Sequence, residues 1–229
     1  MEIVRGIGIQ EIYMEKNERS EKEKAEGMDR IAKTIFAPIY PVLAEFYLNG
    51  FGRRDGVCID LGSGPGHISI AVAKASDMQV YALDLSEDAQ TIARSNIRDA
   101  GLEGQIIPLT GDVAAIPLPD DSVDLVVSRG SIYFWDDLPS VFSEVARILR
   151  PGGTTFIGGG FGNAELRDDV VQKMIARNPE WEKRYLTNTS PETIERFEQA
   201  LSETTGVEGV EGEVVRDESG VWIVMTKNR

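Results

Sequence analysis

The chain has 229 residues, a length that fits one α/β domain, and 41% of them are hydrophobic, as in an ordinary globular protein. Its net charge of −14, without a cluster of Lys and Arg, argues against nucleic acid and anionic membranes as partners, because both bind concentrated positive charge. The single histidine excludes a metal site with several histidine ligands, and the single cysteine, Cys58, excludes an internal disulfide. The sequence has no long apolar run and no signal-peptide pattern, so we expect a cytoplasmic protein.

The first 50 residues are predicted to form a helical cap in front of a main domain that spans residues 51–229. Residues 1–26 are charged and weakly patterned. Apolar residues then recur at the spacing of a helix face, at Met28, Ile31, Ala32 and Ile35. The segment FAPIYP interrupts this helix with two prolines, and Pro41 suits the first turn of a second helix that ends near Gly50.

From residue 56 onward, apolar strands alternate with helices. Strands are predicted at 57–61, at 78–85, in GQIIPLTGD, at 122–128 and in TTFIGGG. Helices are predicted at 67–75, after a Ser86 N-cap, and at 137–149. This alternation is typical of a mostly parallel sheet with helices on both faces, so we predict a doubly wound α/β fold.

The alternation loosens after Gly160. A helix is predicted at 164–177, and another begins at Ser190-Pro191. Two closing strands, at about 207–215 and 221–227, are joined by the turn DESG, so the sheet should end in an antiparallel pair. We expect an insertion on the substrate side at about 161–190.

The segment DLGSGPG, residues 60–66, follows the first predicted strand and opens a helix. Ligands of parallel sheets bind beyond the carboxyl ends of the strands, where this loop lies. Gly62 suits a tight turn, and Gly64 and Gly66 let the backbone approach a ligand. The spacing is G-x-G-x-G, unlike the G-x-G-x-x-G that binds a pyrophosphate. Asp60 would repel a pyrophosphate and attract an ammonium group.

Two further acids extend this pattern. Asp84 ends the second strand about 20 residues after the loop, where an acid accepts hydrogen bonds from ribose hydroxyls. Asp112 follows the third strand and is placed to accept a hydrogen bond from the amine of a base. A solvated strand end and a turn-forming aspartate are the structural alternatives. An amine, a ribose and an adenine, in that order, describe S-adenosylmethionine (SAM).

Four segments together resemble the motifs of the class I SAM-dependent methyltransferases: DLGSGPG, YALDLS, GDVAAIPLPDDSVDLVVS and RILRPGG. The resemblance covers about residues 56–160 and is greatest to the small-molecule group related to the ubiquinone and menaquinone methyltransferases. It implies a Rossmann-like sheet of seven strands with the last strand antiparallel. It also implies SAM as cofactor, S-adenosylhomocysteine (SAH) as product, and no metal.

The resemblance assigns parts of the cofactor to particular residues. The glycine loop would hold the methionine end, Asp84 the ribose and Asp112 the adenine amine, with Leu85 packed on the adenine ring. RPGG would turn the chain into the fifth strand. The complete predicted cofactor-binding set is Asp60, Gly62, Ser63, Gly64, Pro65, Gly66, His67, Asp84, Leu85, Asp112, Val113, Ser128, Arg129, Gly130 and Tyr40.

The acceptor site is expected in FAPIYP, SRGSIYFWDD and GGGFGNAELRDD. Their aromatic residues suit a wall around a sulfonium, which cation–π attraction favours, and ordinary packing is the alternative: Tyr40, Tyr133, Phe134, Trp135 and Phe161. Tyr133, Trp135 and Phe161 are the candidate substrate-binding residues. Arg129 suits a pair with an anionic acceptor, a pair with the cofactor carboxylate, or a structural ion pair.

Methyl transfer from a sulfonium is an in-line displacement that depends mainly on positioning. A base is needed only when the acceptor holds a proton at attack, and Tyr133, Asp136 and Asp137 are the weak candidates. The absence of the nucleic-acid methyltransferase motifs favours a small-molecule acceptor. Two alternatives stay open: a SAM-binding module without catalysis, and an NAD(P)-dependent oxidoreductase, against which the glycine spacing and the terminal hairpin argue.

Overall fold

The computed structural model describes residues 20–204, 209–218 and 220–229. The predictions for residues 1–19, for the start of the strand at 207–215 and for one position of the DESG turn fall outside these residues. The strands within them are β1 (Val57–Leu61), β2 (Gln79–Asp84), β3 (Ile106–Thr110), β4 (Val123–Arg129), β5 (Leu149–Gly158), β6 (Val210–Asp217) and β7 (Gly220–Lys227).

These strands form one sheet in the order β3-β2-β1-β4-β5-β7-β6. The first five strands pair in parallel, and β7 runs antiparallel to both β5 and β6. The predicted seven-stranded sheet with an antiparallel last strand is therefore confirmed. The parallel pairing brings the carboxyl ends of β1, β2 and β4 to the same edge of the sheet, and their loops build the site.

The helices are α1 (Glu21–Ile31), α2 (Ile39–Phe51), α3 (His67–Ala75), α4 (Glu87–Asp99), α5 (Leu138–Ile148), α6 (Ala164–Arg177), α7 (Glu180–Asn188) and α8 (Pro191–Thr204). Helix α1 begins with a capping box, in which the Ser20 hydroxyl accepts from the Glu23 N–H and the Glu23 carboxylate accepts from the Ser20 N–H. A single π-helical turn, Ala32–Phe36, then continues the chain toward α2. Helix α2 runs one residue past the predicted Gly50 and is closed by Gly52 in the left-handed conformation.

Helices cover both faces of the sheet, as predicted. On one face, α5 and α8 pack on the sheet through residues that include Phe142 and Phe197, both almost fully buried. On the other face, α2, α3 and α6 pack through residues that include Tyr47 and Val72. Truncating one such phenylalanine to alanine typically removes about 3–5 kcal/mol of stability, so these layers hold the site's framework rigid.

Two parts of the fold differ from the predictions. Helix α7 was not predicted, because it is short, none of its residues is fully buried, and three apolar residues, Trp181, Tyr185 and Leu186, are too few to establish a helical pattern. The RPGG segment does not precede the fifth strand but lies inside β5 as a bulge, since Val123 pairs with Leu149 and the next pair joins Leu125 to Thr154.

In the described part of the chain, no single helix is long and apolar enough to cross a membrane. Only the pair formed by residues 21–36 and α2 meets the length and composition limits together, and that pair is bent by 83°.

Candidate functional site

The glycine loop between β1 and α3 depends on backbone conformations that only glycine adopts easily. Gly62, Gly64 and Gly66 have φ angles of 68°, 53° and 83°. A Cβ at Gly62 would also overlap the Ser131 side chain. Gly66 is the N-cap of α3, so the loop leads directly into the first turn of that helix and its free N–H groups.

Asp60, at the end of β1, carries a carboxylate buried below this loop. Its side chain is 1% exposed, and its Oδ2 accepts hydrogen bonds from the Ser69 backbone N–H at 3.1 Å and the Ser69 hydroxyl at 2.7 Å. Burial raises the pKa of Asp60 to about 7, against the lowering effect of the Ser69 hydrogen bonds. A bound cation next to Asp60 would stabilise the ionised carboxylate, which burial disfavours.

Ser63, in the middle of the loop, has a buried hydroxyl without a hydrogen-bond partner among the described residues. Its backbone N–H donates to the Leu83 carbonyl at 2.8 Å, which fixes the loop against the end of β2. A buried hydroxyl without a partner carries a desolvation cost that a bound polar ligand can remove. The loop therefore offers a ligand both an acid and a free hydroxyl.

Asp84, at the end of β2, bridges two segments through its carboxylate. The Gly64 N–H donates to Oδ2 at 2.7 Å, and the Ser86 N–H donates to Oδ1 at 2.8 Å. Ser86 in turn caps α4, where its hydroxyl accepts from the Ala89 N–H. Asp84 thus sets the position of the glycine loop, whatever it also binds.

The residues predicted for the adenine lie on an open part of the same edge. Leu85 is 71% exposed, which is unusual for a leucine and leaves an apolar surface for a flat ring. Asp112 is exposed, and its Oδ1 accepts from the Ala114 N–H at 2.9 Å, which closes a turn. Val113 packs against the core. None of these three residues lines the cavity that opens beside the glycine loop.

A cavity of about 1300 Å³ opens beside the glycine loop, and we refer to it as the central cavity. Its walls come from α1 and the π-helical turn, the glycine loop, the end of β4, and the facing parts of α6 and α7. Small-molecule sites typically occupy roughly 300–1000 Å³, so this volume accommodates more than one small ligand. The predicted residues that line it are Tyr40, Asp60, Gly62, Ser63, Gly64, Pro65, His67, Arg129 and Phe134.

Asp29 of α1 ties the N-terminal helix to the glycine loop. Its Oδ1 lies 2.8 Å from His67 Nε2 and accepts from Asn96 Nδ2 at 2.9 Å, while Lys33 donates to its Oδ2 at 2.7 Å. Asn96 Nδ2 also donates to the Pro65 carbonyl at 2.9 Å. Burial alone would raise the pKa of Asp29, but these hydrogen bonds together hold it below its usual value. Burial lowers the pKa of His67 despite the neighbouring carboxylate.

Arg129 places a guanidinium at the floor of the central cavity. The guanidinium lies 4.4 Å from the ring centre of Phe36 and 4.9 Å from that of Phe161, a double cation–π contact. Its Nε donates to the Gly160 carbonyl at 3.3 Å. No carboxylate of the described residues forms a salt bridge with it, so the alternative of a structural ion pair is not found there.

Several other predicted residues lie away from the cavity. Ser128 is buried and donates to the Leu61 carbonyl at 2.7 Å, joining the ends of β4 and β1. Gly130 has φ 83° and donates its N–H to Gly158. Trp135 packs in the hydrophobic core and not in an aromatic wall. Phe161 is buried but touches the cavity floor through Arg129.

None of the three candidate bases lines the central cavity. Burial raises the pKa of Tyr133 to about 12, so its phenol keeps its proton at neutral pH. Asp137 caps α5, where it accepts from the Ser140 hydroxyl and backbone N–H, and these bonds lower its pKa. Asp136 is exposed. An aspartate that caps a helix and one that is exposed to solvent are polar for structural reasons, and the sequence alone could not distinguish these roles from a catalytic one.

The sequence analysis missed the part of the cavity wall that α7 supplies, because this helix was not predicted. Trp181 and Tyr185 of α7 stack at 5.5 Å, and Tyr185 meets the edge of Phe161 at 6.3 Å. With Phe36, which stacks on Phe161, they form an aromatic chain from the floor to the rim. Nothing in the sequence indicated that Asp29 of α1 contacts His67 at the start of α3, or that Trp181 of α7 lines the central cavity.

The donor set fits the sulfonium cofactor that the sequence predicts. A buried acid, a hydroxyl without a partner and helix N–H groups surround the loop, and an exposed leucine marks the distal end. The described residues contain no group of three or more His, Cys, Asp and Glu arranged to hold a metal ion.

Comparisons with known proteins point to one family. The family described as "Methyltransferase domain" matches residues 59–157. The solved structure of a proposed S-adenosyl-L-methionine-dependent methyltransferase from Methanococcus maripaludis is 47% identical, covers 93% of this chain and 96% of that protein, and superposes with a TM-score of 0.88.

Curated relatives match over shorter regions. A malonyl-[acyl-carrier protein] O-methyltransferase from Methylococcus capsulatus is 37% identical over 111 residues, which cover 48% of this chain and 39% of the relative. A dimethylglycine N-methyltransferase from Parasynechococcus marenigrum is 38% identical over 100 residues, 44% of this chain and 36% of the relative. The chain thus matches less than two fifths of the length of each of these two relatives, whose names give different methyl acceptors.

Proposed function

The chain belongs to the class I SAM-dependent methyltransferases, and from that membership we propose that it transfers a methyl group from SAM to a small molecule bound in the central cavity. The observation that carries the proposal is the continuity of that cavity, which runs from Asp60 and the glycine loop to Arg129 and the aromatic chain. A cofactor and an acceptor bound at its two ends would face each other.

The cofactor supplies a methyl group already activated by its sulfonium, so the chain's task is positioning. In this proposal, Asp60 pairs with the ammonium, the Ser63 hydroxyl gains its missing partner, and Leu85 covers the adenine. Asp84 holds the glycine loop and meets the ribose. The loop's fixed backbone, held by Asp84 and Leu83, keeps these groups in place before the cofactor arrives.

The acceptor's nucleophile should carry a free lone pair near neutral pH without help from the three predicted bases. Tyr133, Asp136 and Asp137 lie off the cavity, and burial raises the pKa of Tyr40, which does line it, to about 12. A thiolate, an acidic phenol or a neutral amine meets this requirement. Replacing Tyr133 by Phe should therefore leave the transfer rate within about twofold, and a loss of about 100-fold or more would refute the point.

The position of the candidate bases also favours one alternative, a SAM-binding module without catalysis. In either case, the small size of the acceptor, the cytoplasmic location and the chemical nature of the methylated group stay predictions. The oxidoreductase alternative loses its support with the family assignment, and NAD serves as a control ligand below.

Calorimetric titration of the full chain with SAM, SAH and NAD tests the proposal first. SAM and SAH should bind and NAD should not, and Asp84→Ala should weaken both cofactors by about 100-fold or more, because it removes a ligand contact and the support of the loop. Binding of NAD alone would refute the proposed function. Transfer of labelled methyl from SAM to panels of thiols, phenols and amines then separates an enzyme from a module, since a module binds SAM and labels nothing.

A further inference from the structure

Arg129 is the most unusual charged group in the described part of the chain. Its guanidinium lies among aromatic side chains, and only Nε has a partner, a backbone carbonyl at 3.3 Å. A guanidinium has five N–H donors, so four donors on its two terminal nitrogens have no partner among the described residues. Arg129 is partly buried, and a charge withdrawn from water without a counter-ion is costly, so a ligand that supplies the opposite charge would explain its presence here.

Three more arginines without a salt bridge to a described residue line the same cavity. Arg30 lies on α1, Arg177 at the end of α6 and Arg184 on α7, and all three are exposed at the rim. The acids in the lining are Glu23, Glu26, Asp60 and Glu180. In a chain of net charge −14, this balance of charge makes the cavity an exception to the rest of the surface.

We propose that the methyl acceptor is an anion, whose carboxylate or phosphate group is bound by the Arg129 guanidinium at the floor of the central cavity. The proposal rests on the proposed function and specifies its substrate class. The aromatic chain from Phe36 and Phe161 to Trp181 gives the acceptor a flat apolar wall, and the rim arginines attract an anion toward the opening.

The competing partner for Arg129 is the cofactor's own carboxylate. The contacts of Arg129 favour the acceptor. It touches Phe36 from the N-terminal segment and Phe161 and Gly160 from the segment after β5, whereas none of its hydrogen bonds or ring contacts involves the glycine loop. If Arg129 bound the single carboxylate of the cofactor, the three arginines at the rim would have no anion to attract.

The test uses full-length protein saturated with SAH, titrated with benzoate and phenyl phosphate and with benzamide as the neutral counterpart. Both anions should bind more tightly than benzamide, and the tighter of the two identifies carboxylate or phosphate as the better match. Arg129→Met should weaken anion binding by roughly 10- to 100-fold and leave benzamide unchanged. Arg129→Lys should give an intermediate loss, because it keeps the charge and loses the planar fork.

Arg216→Met is the matched control, since it removes an exposed arginine on β6, outside the cavity, and should leave anion binding unchanged. Retained SAH affinity shows that a variant is folded. Equal binding of benzoate and benzamide, no anion binding at millimolar concentration, or equal loss in the two Met variants would each overturn the proposal.

A second readout separates acceptor from cofactor. If Arg129→Met weakens SAH but not 5′-methylthioadenosine, which lacks the amino acid end, Arg129 serves the cofactor carboxylate and the proposal is wrong. If SAH fails to bind the wild-type protein, the proposed function fails instead. The anion titrations on ligand-free protein then still decide whether Arg129 forms an oxyanion site.

Discussion

Replacing Asp60 by Asn should reveal the free energy stored in the buried carboxylate. The pKa of Asp60 is raised from 3.8 to about 7, chiefly by burial. Each pKa unit corresponds to about 1.4 kcal/mol, so ionising Asp60 destabilises the ligand-free fold by about 4 kcal/mol. An ammonium at about 4 Å returns about 4 kcal/mol at an effective dielectric constant of about 20, so a bound cofactor amine can offset this cost.

The sign of the pH effect follows from the direction of the shift. Because the pKa of Asp60 is higher in the folded than in the unfolded chain, its contribution to stability is complete below pH 3.8 and is lost as the pH rises through about 7. Between pH 5 and pH 8 this group alone should remove roughly 2–3 kcal/mol from the stability of the ligand-free wild-type protein. The side-chain amide introduced by Asp60→Asn cannot titrate, so that variant lacks this loss.

Urea unfolding of both proteins at pH 5 and pH 8 measures the effect. The difference in unfolding free energy between wild type and Asp60→Asn should change by roughly 2–3 kcal/mol between the two pH values, with the variant relatively more stable at pH 8. Titratable groups that do not interact with Asp60 are common to both proteins and cancel in the difference. A difference that is the same at both pH values would refute the reasoning.

SAH binding should show the opposite dependence. Below pH 7 the carboxylate is mostly protonated, so wild-type affinity should fall by about tenfold per pH unit as binding has to release its proton. Asp60→Asn should bind SAH roughly 10- to 100-fold more weakly at pH 7.5 and should not share this slope. Calorimetry in two buffers of different ionisation enthalpy measures the released proton directly, and parallel curves would show that Asp60 does not meet the ammonium.

Three further substitutions test the framework. Gly62→Ala should lose at least about 2 kcal/mol in thermal unfolding, because of its positive φ and the overlap with Ser131, whereas Gly104→Ala, with open space around it, should change little. Asp29→Ala should destabilise the protein by about 1–3 kcal/mol and weaken SAH binding, since it removes three hydrogen bonds that tie α1 to His67, Asn96 and Lys33. Unchanged SAH affinity would show that α1 does not support the glycine loop. Leu85→Ser should leave the melting temperature unchanged and weaken SAH several-fold, and equal SAH binding would remove Leu85 from the adenine site.

The sequence predicted those parts of the fold where local pattern and tertiary packing agree. The bounds of β1, α3 and α6 match the predictions because continuous or periodic apolar residues in them are also the buried ones. Helix α7 escaped prediction because its apolar face is short: Trp181 and Tyr185 stack on each other and pack, partly buried, against the core. Propensity and periodicity carry no information about such contacts.

At the candidate site, the sequence located the strand ends but not the partners of each side chain. Asp60 and Asp84 follow from their positions after β1 and β2. That Asp84 supports the loop and Asp137 caps a helix depends on backbone N–H groups whose orientation appears only in three dimensions. Trp135 shows the same limit in reverse, since an aromatic residue in the loop after β4 proved to belong to the core.

Among the charged groups that line the central cavity, the buried Asp60 carboxylate and the partly buried Arg129 guanidinium have no salt-bridge partner among the described residues, and no salt bridge joins them to each other. Each alone destabilises the ligand-free protein, and hydrophobic replacements would be more stable. Their retention is explained when ligands supply both counter-charges, a cation at the glycine loop and an anion on the floor. With the cofactor's ammonium held at Asp60 and the acceptor's anionic group held at Arg129, the same two residues that lower the stability of the empty fold would align the reacting pair.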